Sequence, residues 1–345
     1  MSDKPKSKLI RYIVLTCAIV IVVIIGFAIS KLMALNEGAV PVVTRPTTDT
    51  TETLPETTLP TFEGIPSDID IDYTVEVTNP SIAPIYQVVP IDEKVINILL
   101  IGYDARPGEL TGRSDTQLLM SYNRDQGSLK MVSFMRDTWV PIEGHDWDRI
   151  NAAFSYGGIG LAINTLNDVF DLDVQNYVIV RFEEFVNIVD QIGGIDLELS
   201  EKEIEFINKY ANSTQLDTTP GLKHLNGSQT LSHSRNRYVG NGDFTRTQRQ
   251  RDVMVTIFRK MMKEKDPVVI SQLVSFALEN VRTNMKPDEV FTLSLEILGH
   301  KNLAMSQARV PFDKTWHYAN EDGRSVLGVN LEKNVSLLHE FLYSE

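Results

Sequence analysis

Five arginines and one aspartate fall within the nineteen residues 233–251, H-S-R-N-R-Y-V-G-N-G-D-F-T-R-T-Q-R-Q-R, and this density of guanidinium is what most restricts the fold. Arg235 and Arg237 are two apart, so on an extended segment they point to one side; Gly240 and Gly242 then supply a turn before a helix beginning near Phe244. At 100° per residue from Arg246, the apolar stripe Val253, Met254, Ile257 and Met261 lies within about 80°, and Gln250 at about 40°. Arg246 and Gln250 therefore face the core side, Arg249 lies at the edge of the stripe, and Arg251 points away as a solvated charge. A guanidinium turned inward is costly unless paired, so a buried carboxylate or a bound phosphate must answer Arg246. The alternative to an anion site is a salt-bridged scaffold using Asp243 and glutamates elsewhere.

The formal net charge of -13 argues against a general nucleic-acid or anionic-membrane binder, so the arginine cluster is local. With 345 residues and 42% hydrophobic composition, the chain has material for one large core. Cys17 is the only cysteine, which excludes a disulfide framework and a thiolate zinc site.

Residues 12–30 carry no charge, and their 19 residues as a helix span about 28 Å, which predicts a membrane-spanning signal anchor. Lys4, Lys6, Lys8 and Arg11 precede the run, so residues 1–11 are expected to be a cytoplasmic tail and the remainder extracellular. A cleaved signal peptide is disfavoured by Lys31-Leu32-Met33, where small residues would lead to a cleavage site. Residues 31–62, rich in Thr and Pro from Ala39 onward, read as an extended stalk. Residues 63–93 read as a short accessory strand and a linker packed on the main domain, which occupies 94–345.

The main domain opens with the near-continuous apolar run V-I-N-I-L-L-I-G at 95–102, a strand buried on both faces. Asp104 and Arg106 follow it directly. A second strand at 116–122 is preceded by Arg113-Ser114-Asp115; a third at 129–135 is followed by Arg136-Asp137-Thr138, and the short link between the two predicts a hairpin. If the first and second strands are also antiparallel, Asp104, Asp115 and Arg136 share one sheet edge. Further strands at 176–182, 195–199 and 304–310 interleave with helices at 157–170, 185–192, 201–210, 226–232, 244–263, 268–281, 287–299 and 331–343. This pattern predicts an α/β fold, a mixed β-sheet sandwiched between helices, preceded by the single transmembrane helix.

Two carboxylates at one edge, with arginines beside them, are the parts needed to handle a phosphate through a divalent metal. Asp104 and Asp115 would ligate Mg²⁺, a hard ion that takes carboxylate, water and phosphate oxygens, while Arg106, Arg113 and Arg136 hold phosphate oxygens. Pairing of either aspartate with Arg106, Arg113 or Arg136 without metal is the competing role. His233 has no paired histidine spacing, and neither Gly157-Gly158 nor Gly193-Gly194 belongs to a phosphate-loop pattern.

Seven blocks in order carry a resemblance: I-L-L-I-G-Y-D-A-R, G-R-S-D-T, V-S-F-M-R-D-T, R-I-N-A-A-F-S-Y-G-G, V-D-Q-I-G-G-I-D, L-N-G-S-Q-T-L-S-H-S-R-N-R and G-D-F-T-R-T-Q-R-Q. Over about 250 residues from Ile96 onward the chain resembles the LytR-CpsA-Psr family of cell-wall ligases. The resemblance implies an Mg²⁺-dependent phosphotransferase on the outer face of the cell membrane. It would move a glycopolymer, such as wall teichoic acid or capsular polysaccharide, from polyprenyl pyrophosphate to a peptidoglycan muramic acid hydroxyl. The family's metal aspartates fall on Asp104 and Asp115; its pyrophosphate-binding arginines fall on Arg113, Arg136, Arg235, Arg237 and Arg246, with Gln250 completing the site. Arg149 stands where the family usually has lysine, keeping charge but changing hydrogen-bond geometry. The implied partners are the polyprenyl-linked glycopolymer, peptidoglycan and the membrane, and no nucleic acid. The family's apolar lipid tunnel would be lined here by helices 157–170, 183–192 and 268–281, unless these are plain core. A non-catalytic binder of the same lipid and a pyrophosphatase are the alternative activities.

Overall fold

The structure, a computed structural model, describes residues 39–46, 82–104, 114–264, 267–300 and 302–344. The predicted tail, the apolar run 12–30, most of the stalk, and Arg106 and Arg113 lie outside the described residues. Among the described residues no helix is long and apolar enough to cross a membrane.

The apolar runs at 95–102, 116–122 and 129–135 form the centre of a six-stranded sheet as β3 (Val95–Tyr103), β4 (Ser114–Asn123) and β5 (Ser128–Phe134). Two two-residue strands precede them, β1 (Val42–Val43) and β2 (Ile85–Tyr86), paired in parallel with each other. After β5 come the short antiparallel pair β6 (Trp139–Val140) and β7 (Asp148–Arg149), then helix α1 (Ala152–Phe170), β8 (Asn176–Arg181) and α2 (Phe182–Gln191). An antiparallel ribbon of β9 (Ile195–Leu199) and β10 (Gly221–Leu225) flanks α3 (Glu201–Tyr210) and leads to α4 (Gly227–Arg235) and α5 (Gly242–Met261). The C-terminal part contains α6 (Pro267–Glu279), β11 (Arg282–Thr283), α7 (Pro287–Gly299), β12 (Ala304–Val310), a hairpin of β13 (Trp316–Glu321) and β14 (Arg324–Val329), and α8 (Leu331–Tyr343).

The main sheet runs β11-β8-β3-β4-β5-β12, with β3 antiparallel to β4, β4 antiparallel to β5, and β8 and β12 parallel to their inner neighbours. Alternate residues feed two cores. Leu99, Ile101, Leu119 and Val132 pack under α1 and α8 on one face; Ile98, Leu118, Leu129 and Met131 pack under α5 and α7 on the other. The architecture is the mixed sheet between helices that the alternation predicts. Covering on both faces explains why β3 is a nearly unbroken apolar run.

Residues 40–45, placed in the stalk from composition, pack on the domain instead. Val40 donates its backbone N–H to the Tyr177 hydroxyl at 3.1 Å, and Arg45 pairs with Asp168 at 2.7 Å and lies over the Tyr86 ring. The 82–91 segment is clasped to α1: Ile85 is fully buried, and Asn164 accepts from the Tyr86 backbone and donates to the Pro84 carbonyl. Gly160 permits this approach, since a Cβ there would lie 1.7 Å from the Ala83 carbonyl oxygen. Thr and Pro content reports low core-forming capacity, but a few β-branched residues suffice to add an edge ribbon.

Candidate active site

The antiparallel register brings the end of β3, the start of β4 and the end of β5 to one edge of the sheet. A bulge interrupts it there: Gly102 pairs with Thr116 and Tyr103 with Ser114, leaving Asp115 as the extra residue of β4. A bulge re-aims a side chain out of the strict alternation. Arg136, two residues beyond β5, donates from Nη1 to Asp115 Oδ1 at 2.9 Å. Arg246 of α5 approaches the same oxygen at 3.7 Å. Asp104, exposed one residue past β3, is met by Arg235 at 3.7 Å. The edge predicted from the strand order therefore holds Asp104, Asp115 and Arg136, together with Arg235 and Arg246 from more than a hundred residues later.

Two further carboxylates belong to this cluster. Asp243, in the first turn of α5, lies 2.9 Å from Arg246 Nε and 3.7 Å from Arg136 Nη2, and Asp137 lies 3.6 Å from Arg136 Nε. Burial disfavours the Arg136 cation, but Asp243, Asp137 and Asp115 together outweigh it and hold its pKa above the ordinary value. For Arg246, only 4% exposed, burial dominates over Asp243 and Asp115, and repulsion from Arg136 adds to it, so its pKa is lowered. Arg136 Nε, Arg246 Nε and Asp243 Oδ1 are all buried without a hydrogen bond of good geometry among the described residues. Each of these atoms sits at charge-pair distance from another member of the cluster, so at these atoms electrostatic attraction rather than a directed hydrogen bond holds the cluster together. Asp243 and Asp137 were legible in the G-D-F-T-R and M-R-D-T blocks, but their adjacency to arginine in sequence reads first as local pairing.

The remaining candidates divide. Gln250, one turn beyond Arg246, lines an apolar cavity of about 160 Å³ with Thr116, Leu118, Val180, Phe185 and Ile257. This cavity shares Val178, Ile188, Ile257 and Val281 with a second of about 290 Å³ that runs on between the sheet, α6 and α7. Together they form an apolar passage beginning beside the arginine cluster. Helices 183–192 and 268–281 line it, as the resemblance implied; helix 157–170 does not, because α1 covers the opposite sheet face and is plain core. Arg235 ends α4 and is not on an extended segment; its guanidinium stacks 4.6 Å from the Phe182 ring. Arg237 is exposed, in the turn after α4, and makes no ion pair among the described residues. Arg149 adjoins the cluster through Asp137 at 3.3 Å and donates to the Ser325 carbonyl at 2.7 Å.

Arg249 and Arg251 are structural. Arg249 donates to Glu203 and to the Asn236 and Val239 carbonyls, each at 2.9 Å, which fixes the turn carrying the site arginines. The expectation that Arg251 is solvated is wrong: it is 3% exposed and donates to Gln307 and Gln248, and burial lowers its pKa to about 10. The helical phase was sound but the helix is covered twice. Val253 faces β9 while Val255 and Phe258 face the sheet, so the buried arc is far wider than one stripe.

The donor set suits a hard divalent cation. Asp104 and Asp115 offer carboxylate oxygen at one edge, with no cysteine among the described residues. No three acidic, histidine or cysteine side chains among the described residues form a protein-only cage. Mg²⁺ commonly takes only one or two carboxylates and completes its shell with substrate phosphate and water, so two aspartates fit such an ion without a third protein ligand.

The chain is 33% identical over 200 residues to the polyisoprenyl-teichoic acid--peptidoglycan teichoic acid transferase TagU of Bacillus anthracis, covering 57% of this chain and 63% of that protein. It thus spans less than two thirds of that relative's length. The TagU of Bacillus mycoides is 31% identical over 252 residues, covering 69% of this chain and 79% of the relative. A solved structure of TagT bound to LI-WTA superimposes with a TM-score of 0.61 at 25% identity, covering 74% of this chain and 94% of that one. The model of the LytR_cpsA_psr family matches residues 67–340, and the chain belongs to that family.

Proposed function

We propose that this protein is a membrane-anchored phosphotransferase that moves a glycopolymer from polyprenyl pyrophosphate to a peptidoglycan hydroxyl. The observation that carries it is the apolar passage opening beside a cluster of arginines and carboxylates. Gln250 lines the one, and Arg246, one turn earlier on α5, belongs to the other. A ligand fitting both has a long apolar tail and a charged phosphate head. TagU of Bacillus anthracis bears the name of a teichoic acid transferase, which supports the same chemistry and teichoic acid as the polymer.

In this reading the passage takes the prenyl chain, and Arg136 and Arg246 hold the pyrophosphate oxygens with Arg235 at the exposed edge. Arg113, Arg106, Arg237 and Arg149 are assigned supporting contacts to the same head group. Mg²⁺ bound by Asp104 and Asp115 would neutralise the pyrophosphate and the charge that develops on it. The acceptor oxygen forms a bond to the phosphorus that carries the glycopolymer, and the bond from that phosphorus to the prenyl phosphate breaks. The leaving prenyl phosphate carries off the electron pair and, in net balance, the hydroxyl proton. Arg136, partly buried, and Arg246, almost fully buried, stabilise the oxygen that gains charge.

Residues 12–30 are assigned as the anchor, with 1–11 inside and the catalytic domain outside. Removal of residues 1–38 should release the protein from membranes in fractionation.

The activity is tested with purified full-length protein, a defined prenyl-pyrophosphate glycan and peptidoglycan, reading products by mass spectrometry. Transfer that depends on Mg²⁺ and is lost in Asp115→Asn, with lipid binding retained, is the expected result. Release of free glycan phosphate without a peptidoglycan adduct would mean hydrolysis, and retained activity in Asp115→Asn would overturn the metal assignment.

A further inference from the structure

Helix α5 orders the site along its length. Ile257, Val253 and Gln250 line the apolar passage, Arg246 sits at the carboxylate cluster, and Asp243 and Phe244 line a separate hollow of about 120 Å³. At 1.5 Å per residue, Gln250 and Asp243 are about 10 Å apart along the axis, with Arg246 between them. The hollow is closed by Asp137, Asn241, Tyr318 and Ser325, so its far wall is the β13–β14 hairpin.

That wall is aromatic. Trp316 lies against Phe244 with ring centroids 4.8 Å apart and planes tilted by 33°, Tyr318 meets Trp316 edge-on at 5.1 Å, and the Arg309 guanidinium lies 4.6 Å from the centre of the Phe244 ring. Trp316 is half-buried, but Tyr318 is 67% exposed and contributes little to any core. None of the residues lining the hollow is basic, whereas Asp137, Asp243 and Asn241 give it oxygen acceptors. Arg136, Arg149 and Arg246 pair with Asp137 and Asp243 and do not line the hollow, so its lining offers no cation to a second anion. An aromatic face beside carboxylate and amide acceptors suits a neutral ring that offers C–H groups on one side and hydroxyl donors at its rim.

The reaction geometry gives the same occupant. In an in-line displacement the nucleophile approaches opposite the leaving group. The prenyl phosphate leaves toward the passage, so the hydroxyl must arrive from the side of Asp243 and Phe244. We infer that this hollow and the Phe244–Trp316–Tyr318 wall are the acceptor subsite, which seats a sugar ring of the peptidoglycan glycan strand against Tyr318, its hydroxyls accepted by Asp137 and Asn241. The inference rests on the transferase reading and names where that enzyme holds its second substrate.

The test uses the full-length protein and peptide-free glycan strands of peptidoglycan, with affinity measured by tryptophan fluorescence and acceptor KM measured in the transfer assay. Tyr318→Ala should weaken strand binding and raise acceptor KM by about tenfold, the size of one lost ring contact, while Tyr318→Phe stays within about twofold of wild type. Tyr210→Ala, which removes an aromatic side chain 55% exposed elsewhere on the surface, should match wild type in both measurements. Donor affinity, measured separately with a prenyl pyrophosphate lipid, should change far less than acceptor affinity in Tyr318→Ala. Strand binding equal in wild type and Tyr318→Ala, or absent in wild type, would overturn the inference even if transfer itself is intact. Strand binding lost in Tyr318→Ala from a wild type that performs no transfer would uphold this subsite and overturn the transferase.

Discussion

Arg246 and Arg251 lie on one helix five residues apart, both almost fully buried, yet their surroundings assign them different work. Arg246 shares Asp115 and Asp243 with Arg136, whereas Arg251 forms no ion pair among the described residues, donates to the neutral side-chain oxygens of Gln248 and Gln307 with Asp252 attracting it from further off, and keeps Nη1 without a hydrogen bond among the described residues. Arg246→Ala is therefore expected to abolish prenyl-pyrophosphate binding in a lipid titration. Arg251→Ala should instead lower stability by about 1–3 kcal/mol in denaturant unfolding and leave binding by the folded protein intact. His233 adds a pH dependence. Burial, opposed by Glu203 and reinforced by Arg249, lowers its pKa from 6.5 to about 4, so the folded state keeps it neutral where the unfolded chain protonates it. A depressed imidazole pKa gives stability that is full above the unfolded value and is lost as pH falls toward the folded one. From this group alone, unfolding at pH 5 should cost about 2 kcal/mol less than at pH 7.5. Glu203, held below its usual range because hydrogen bonds from Ser200 and Arg249 outweigh its burial, acts in the same direction further down the scale.

The turn 236–242 and α5 form the element on which the site depends. Arg249 ties the Asn236 and Val239 carbonyls to the helix, and Gly240 adopts φ 93° where a Cβ would lie 2.7 Å from Thr245 Oγ1. Gly240→Ala should accordingly displace the helix start and with it Asp243 and Arg246. The expected readout is a fall in donor affinity larger than the fall in melting temperature would explain, because backbone strain is concentrated at the helix start beside the site. The β13–β14 hairpin, which carries Trp316 and Tyr318, is absent from the sequence reading. Its signal was available in Asp322-Gly323, both at positive φ in the two-residue turn, a pair that favours tight hairpins. Exposed alternation without a strong apolar stripe hid the strands themselves.

Across the whole molecule, the sheet divides labour between its faces. One face, under α1 and α8, is a closed core clasped by the 82–91 segment, and the other leaves the apolar passage open toward α6 and α7. Ile85→Ala should destabilise the fold by about 2–5 kcal/mol in chemical unfolding without altering lipid specificity, since Ile85 belongs to the closed face. Val281 lines both cavities at their junction, so Val281→Trp should obstruct the passage between them. Affinity for long prenyl pyrophosphates is then expected to fall while affinity for short ones is kept, as a chain-length series would measure.

The β4–β5 hairpin and the inward phase of Arg246 follow from local rules: apolar runs, a short link and helical periodicity act over a few residues, and the sequence carries them directly, whereas the edge that gathers Asp104, Asp115 and Arg136 also needed the antiparallel pairing of β3 with β4. What it could not carry is which faces another element covers. The burial of Arg251, the docking of 40–45 on Tyr177 and the difference between a filled core under α1 and an open passage under α6 each depend on partners distant in the chain. Apolar periodicity says that a face avoids water, and it says the same of a face that meets a core and of one that meets a lipid. Only the tertiary structure, by setting how closely the opposing layers approach, decides between them.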